Sequence, residues 1–350
     1  MKAIVKYAEG RGFVELRDVP EPAPGPGEVR IAVEYAGICA SDLHILNADI
    51  AITIRPPVVM GHEFSGTIDS LGSGVSGWAV GDGVVAEASY GVCGLCRSCM
   101  GGFYNLCADR KVLGYWHHGA FARFTVVPAH RLHRLPPGVS FQEGALVEPI
   151  ACAVHGVREC IAVAPADAVL ITGPGMIGLA ALQIARAAGA RVIVAGTPAD
   201  EARLALARSL GAERVVDVGR EDLGTAVKEF THGGGVDVAV ECAGNDRAVR
   251  SCLDALRKQG QHLQLGLLGR DMDLRFDSLA YKELWVTGAI SSRDTSWRTA
   301  LDLIGRRQVT PQALISDVFP LDDWEAAFRR HEEKKGLKML FRPEQAGRPG

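Results

Sequence analysis

Four cysteines, Cys93, Cys96, Cys99 and Cys107, stand in a C-x2-C-x2-C-x7-C run. The short arms between them suit four thiolates converging on one tetrahedral zinc, so this stretch is expected to fold as a lobe around a metal. The plainer reading is a pair of disulfides, and the rest of the chain argues against it. Nine cysteines, an odd number spread over 350 residues, do not make a disulfide scaffold. Met1-Lys2-Ala3-Ile4-Val5 enters a strand-like pattern with no basic and apolar leader ahead of it. A reduced, cytoplasmic, metal-binding chain is expected.

Upstream of this lobe lie Cys39, within Gly37-Ile38-Cys39-Ala40-Ser41-Asp42-Leu43-His44, and the triplet Gly61-His62-Glu63. A lone cysteine is more often a small buried hydrophobe, and a lone His-Glu pair is more often surface. Together, one sulfur, one imidazole and one carboxylate form a donor set able to hold a second zinc with a position left open.

At 350 residues the chain is long for one core and suggests two domains, and 47% apolar residues are enough to fill both. A net charge of -3 gives no basic excess for a nucleic-acid partner. No apolar run reaches the roughly 18 residues that a bilayer span needs, so no membrane role is expected. Gly- and Pro-rich sequence with short alternating segments, such as Val29 to Glu34 and Val84 to Glu87, predicts a β-rich barrel or sandwich over residues 1–149. Past Glu148-Pro149 the texture changes. Strands over Ala168 to Thr172, Arg191 to Ala195, Val236 to Glu241 and His262 to Leu265 alternate with helices over Ile177 to Ala188 and Asp200 to Leu210. That alternation predicts an α/β, doubly wound parallel sheet over residues 150–291. Helices at Trp297 to Ile304 and Asp322 to His331 and a strand at Lys338 to Phe341 read as a return to the first domain over residues 292–350.

The first strand of the second domain runs into Gly173-Pro174-Gly175-Met176-Ile177-Gly178, a G-x-G-x-x-G between strand and helix. The first glycine makes the tight turn, the second lets the backbone approach a pyrophosphate, and the third lets the helix pack on the strand. The N-terminus of the helix, at Met176 and Ile177, then presents free N–H groups to the phosphates. An acid at the end of the second strand should grip the adenosine ribose, but Gly196-Thr197 stands there. Without that carboxylate nothing excludes NADP, and Thr197 with Arg203 could favour its 2′-phosphate. NAD and NADP both stay open.

In the order of its motifs the chain resembles the zinc-dependent medium-chain dehydrogenases, the family of alcohol, sorbitol and threonine dehydrogenases. The resemblance rests on Gly37 to His44, Gly61-His62-Glu63, the four-cysteine lobe, Gly114 with Gly119-Ala120-Phe121, Leu146 to Pro149, the glycine loop and Val236 to Glu241. It implies a GroES-like catalytic domain carrying the catalytic zinc, a Rossmann domain inserted in it, and a substrate held between the two. Glu148 stands where alcohol dehydrogenases with a Cys2His site place a second cysteine, so the chain looks closest to the polyol branch. The resemblance then implies Cys39, His62 and Glu63 as ligands, with Glu148 as a fourth ligand or as a carboxylate holding a water on the metal. Cys152 is read as a buried core thiol.

The expected reaction moves hydride from an alcohol to the nicotinamide, with zinc as Lewis acid. Ser41 takes the alcohol proton and passes it by way of the cofactor ribose to His44, while Ser41 also caps a helical turn. For a polyol substrate, Glu148, Arg293 and His117 or His118 are candidates to meet the extra hydroxyls, whereas the apolar stretch Asn47 to Pro57, with Ile50, Ile52 and Ile54, suits simpler secondary alcohols or threonine. The apolar strand Leu284 to Ile290 would be a hazard if left bare, and the family resemblance pairs it with a symmetry mate in a homodimer or homotetramer.

Overall fold

Along the strand Glu28–Gly37, Val29, Ile31 and Val33 are fully buried and alternate with half-buried Arg30, Ala32 excepted as a partly covered small residue. That period of two places one face of the strand in a core. The strand lies inside a seven-stranded sheet, paired with Glu63–Leu71, with Phe124–Pro128 and with the last strand, Lys338–Phe341. The computed structural model describes residues 1–49 and 53–344. It divides the chain into two units, one made of Met1–Glu148, Arg293–Gly305 and Thr310–Gly350 and the other of Pro149–Ser292 and Arg306–Val309.

The first unit adds a three-stranded sheet and a two-stranded one to the large sheet. Its core gathers Ile4, Ile31, Phe64, Phe121 and Phe341, with Phe121 edge-on to Phe341 at 5.0 Å between centroids. Ile54 packs against this core, whereas Ile50 and Ile52 lie outside the described residues. The cysteine lobe is tied to the sheet by a buried polar group. Glu87 accepts from the Tyr104 hydroxyl at 2.7 Å and from Arg131 at 3.2 Å, with His133 Nε2 at 3.3 Å. The His133 ring stacks on Trp297 of the helix Asp294–Gly305, so the lobe, the sheet and the returning C-terminal segment share one carboxylate. A buried charge is tolerable only with partners of this kind.

The second unit is a six-stranded parallel sheet. Its strands are Ala168–Thr172, Arg191–Gly196, Arg214–Asp217, Val236–Glu241, Leu256–Gln264 and Trp285–Gly288, and they lie in the order third, second, first, fourth, fifth, sixth. The first strand is buried along its whole length, as a strand covered by helices on both faces must be. Reversal of strand order beside the first strand creates the crevice in which this topology binds ligands. The sixth strand is an edge, with Trp285 75% and Val286 50% exposed.

Candidate active site and metal centres

Cys39 caps the N-terminus of the helix Ala40–Asn47, and its own N–H donates to Asp42 Oδ2 at 2.9 Å. Glu63 reaches the same place from the facing strand, because Gly37 is its cross-strand partner. A Cβ on Gly37 would lie 2.4 Å from Glu63 Oε2, so only glycine lets the carboxylate cross above the strand. The donor atoms of Cys39, His62 and Glu63 all lie within 4.8 Å of one another.

Two residues not assigned a role from sequence complete the cluster. Lys338 donates to Glu63 Oε2 at 2.6 Å and to the Ile38 carbonyl at 2.9 Å, fully buried, and leaves Glu63 Oε1 without a protein partner. Asp42 Oδ1 stands 3.8 Å from His62 Nδ1 and also lacks a hydrogen bond. A carboxylate facing a histidine in this way is placed to orient the ring of a metal-ligating imidazole. Asp42 shares a helical turn with Cys39 and could have been read from that spacing. Lys338 comes from the far end of the chain and gave no local signal.

The electrostatics fit a divalent cation. Cys39, Asp42, Glu63 and Glu148 are acidic groups around one lysine. Burial pushes Asp42 up to about 6 even though His62 and the Cys39 N–H draw it down. Burial opposes a charge on His62, but the hydrogen bond and charge of Cys39, then Asp42 and Glu148, outweigh it and lift His62 to about 10. The cluster therefore recruits positive charge, and one sulfur, one imidazole nitrogen and one open carboxylate oxygen match zinc. Glu148 is buried and acts on His62, Tyr115 and Lys338 through its charge, but it is not one of the three converging donors.

Ser41 Oγ accepts from the buried Tyr115 hydroxyl at 2.8 Å, which leaves the serine proton free to point elsewhere. The Tyr115 ring also packs on His62 at 5.3 Å. His44, on the next turn, is half-exposed and paired with Asp49 at 2.6 Å beside a cavity of about 290 Å³. The other substrate candidates are engaged in packing: Arg293 stacks on Phe103, His117 on Tyr90, and His118 Nδ1 accepts from the Val59 N–H.

In the lobe, Cys93 Sγ lies 3.9 Å from Cys99 Sγ and 3.6 Å from Cys107 Sγ. A tetrahedron with metal–sulfur bonds of about 2.3 Å has edges of about 3.8 Å, whereas a disulfide would need about 2.05 Å. All nine cysteines are free. The N–H groups of Leu95 and Cys96 hold the Cys93 thiol down to about 6.

The helix Met176–Ala187 is capped by Gly175, and a Cβ there would meet nothing within 4 Å, which is the room a pyrophosphate needs. A Cβ on Gly178 would lie 2.1 Å from the Gly173 carbonyl, so the helix can sit this close only without one. Gly173, Gly196, Thr197 and Asp200 line a cavity of about 340 Å³. The expectation of a corner without a carboxylate is corrected here. Asp200 Oδ2 accepts from the Thr197 N–H at 3.0 Å and from its hydroxyl at 2.7 Å, and so stands beside Gly196. Arg203 lies 3.7 Å from the other oxygen of the same carboxylate.

Residues 25–137 match the family model of the alcohol dehydrogenase GroES-like domain, and residues 177–306 that of the zinc-binding dehydrogenases. Over 344 residues, 98% of this chain and 99% of the relative, the chain is 38% identical to a sorbitol dehydrogenase of Halalkalibacterium halodurans. The chain belongs to the zinc-dependent alcohol dehydrogenase family. This dehydrogenase is also 36% identical over 346 residues to an L-threonine 3-dehydrogenase of Stenotrophomonas maltophilia, covering 97% of this chain and 99% of that one. The crystal structure of a 2R,3R-butanediol dehydrogenase from Bacillus subtilis superposes with a TM-score of 0.88 at 30% identity, over 98% of this chain and 99% of that one. Both halves of the expected fold, the GroES-like and the Rossmann domain, are thereby established, as is the membership in a family of zinc-dependent oxidoreductases.

If the lobe holds its own zinc, replacing Cys96 by Ser removes a metal whose binding contributes directly to folding. The expected result is one zinc ion per chain in place of two, with a lowered melting temperature. Two ions and unchanged melting in Cys96→Ser count against a metal at the lobe.

Proposed function

We propose that this dehydrogenase oxidises a polyol or sugar alcohol at a secondary carbon, transferring hydride to NAD. The observation that carries the reading is the carboxylate pair: Glu63 stands among the converging donors, and the buried Glu148 acts on His62 and Lys338 through its charge. Carboxylates and their ordered waters can hydrogen-bond the additional hydroxyls of a polyol, and a site built to bond a hydroxyl rejects analogues that lack it. The name of the sorbitol dehydrogenase relative agrees with this class. The chemistry belongs to a domain of residues 1–149 and 292–350, with residues 150–291 as the dinucleotide domain and 93–107 as the zinc lobe. Reduced ligand thiols suit the cytoplasm, and among the described residues no helix is long and apolar enough to cross a membrane.

Cys39, His62 and Glu63 would hold the catalytic zinc, and Cys93, Cys96, Cys99 and Cys107 the second one. Zinc at the first site supplies a Lewis acid that makes an alcohol proton easier to remove. Asp42 fixes the His62 ring, Lys338 fixes Glu63, and Glu148 bonds a water or a substrate hydroxyl beside the metal. Ser41, turned by Tyr115, accepts the alcohol proton, and His44 at the exposed end of the same helix delivers it to solvent. Gly173, Gly175, Met176, Ile177 and Gly178 cradle the pyrophosphate, and Gly196 and Thr197 line the ribose corner with Arg203 behind it.

A screen of polyols, sugars, secondary alcohols and threonine tests the substrate class, and the highest kcat/KM is expected on a polyol. Highest activity on threonine or on a simple secondary alcohol replaces that reading with the runner-up. Cys39→Ser should lose one zinc and nearly all turnover. His44→Ala should keep both metals and slow oxidation by about ten- to a hundredfold near neutral pH, with recovery at higher pH as hydroxide or buffer takes the proton. An unaltered pH profile in His44→Ala means the proton leaves by another route.

Asp200 carries the preference for NAD. A carboxylate in the ribose corner can bond the 2′-hydroxyl and repels a 2′-phosphate. Asp200→Asn keeps the acceptor for Thr197 but removes the charge, and the NAD to NADP ratio of kcat/KM should fall about tenfold or more. A ratio that does not move shows that the preference is set elsewhere.

The exposed edge strand Trp285–Gly288 joins a second copy in a homodimer or a homotetramer. Long apolar edges of this kind are otherwise covered or charged. Light scattering should report a dimer or tetramer for the native chain and a smaller species for Trp285→Lys. A native monomer with full activity refutes the assignment.

A further inference from the structure

One group of chemically capable side chains stands apart from both zinc clusters and from the dinucleotide cavity. The helix Val147–Val154 continues into a π-helical turn, His155–Cys160. Its i→i+5 hydrogen bonding brings positions i+4 and i+5 to the two sides of residue i, which an α-helical turn does not, and such turns concentrate at functional sites. Accordingly Glu159 and Cys160 flank His155. Nδ1 of the ring is 2.7 Å from Glu159 Oε2, and Nε2 is 3.8 Å from Cys160 Sγ. His155 and Glu159 are largely buried, at 5% and 12% side-chain exposure, while Cys160 is partly open to solvent.

A carboxylate orienting an imidazole whose second nitrogen faces a thiol is the arrangement that activates a cysteine. We propose that Cys160 is a modification site, a thiol activated by His155 and oriented through Glu159, that reacts with hydrogen peroxide to form a sulfenic acid. The Cys160 thiolate sulfur attacks one peroxide oxygen, so that an S–O bond forms as the O–O bond breaks. Sulfur is oxidised by two electrons, and the departing oxygen takes the Nε2 proton of His155 and leaves as water. The ring ends neutral. Cys160, and then Glu159, outweigh burial and lift the His155 ring to about 9, which keeps that proton available. The other thiols outside the zinc clusters provide internal controls. Burial pushes Cys242 far up and Cys252 to about 12, and neither has a histidine beside it among the described contacts.

The test uses the zinc-loaded enzyme, treated with a small excess of hydrogen peroxide in the presence of dimedone and read by peptide mass spectrometry. The adduct on Cys160 is expected to form about tenfold or more faster than on Cys152, Cys242 or Cys252. His155→Gln and Glu159→Gln should each slow labelling of Cys160 by about tenfold and about threefold, with zinc content and melting temperature held. Glu159→Gln keeps the test decisive if His155→Gln does not fold. Labelling of Cys160 no faster than Cys152, or a rate that neither variant changes, overturns the proposal.

Discussion

The ion pair between Glu63 and Lys338 joins residues far apart in the chain inside a buried site. Side-chain exposures of 0% and 3% mean that each is tolerable only because of the other, and breaking such a pair costs about 3–5 kcal/mol. The pair decides two things together. It anchors the last strand, Lys338–Phe341, against Glu28–Gly37, and it holds one oxygen of Glu63 so that the other faces Cys39 and His62. The closing of the first unit and the aiming of its carboxylate are the same interaction.

Around that pair the site is built by supports that are themselves fixed. Cys39 is placed by a helix N-terminus whose first turn carries Asp42, and Asp42 both receives the Cys39 N–H and faces His62. One buried carboxylate therefore ties two of the converging donors to each other. Tyr115 does the same for Ser41 and His62, by a hydrogen bond to one and ring contact with the other. Cys39 and His62 thus share a neighbour in Asp42, while Glu63 is held separately by Lys338.

Local patterns were readable wherever the chain makes its own contacts. The helix expected at residues 177–188 is found at Met176–Ala187, and the strand expected at 191–195 at Arg191–Gly196, because apolar period and glycine placement are local properties. Cys39, His62 and Glu63 converge as their residue types suggested, since a turn of helix and a cross-strand pair bring them together. Lys338 was out of reach because its partner lies 275 positions away and only a closed sheet relates them. Asp200 was misjudged for a different reason. It lies past Gly196-Thr197, where the acid was expected, but the Thr197 hydroxyl and N–H turn its carboxylate back toward Gly196. The His155–Cys160 turn carried no signal of its own, because the sequence pattern of a π turn is indistinguishable from that of the helix it extends.

The choice of a carboxylate at the metal cluster has an electronic consequence. A thiolate gives zinc much of its charge, and two of them leave less for a substrate oxygen. Glu63 shares its charge with Lys338 through Oε2 and would offer a metal only the remaining oxygen, which would make it the weaker donor. As proposed ligands, one thiolate, one imidazole and this half-engaged carboxylate would leave more positive charge on a bound zinc to act on a substrate oxygen. Glu148, buried close by, can then take the hydrogen bond of a water or hydroxyl drawn to that charge. Lys338 thus acts through Glu63, and the buried ion pair that closes the fold would also set how strongly a metal held there pulls on an alcohol.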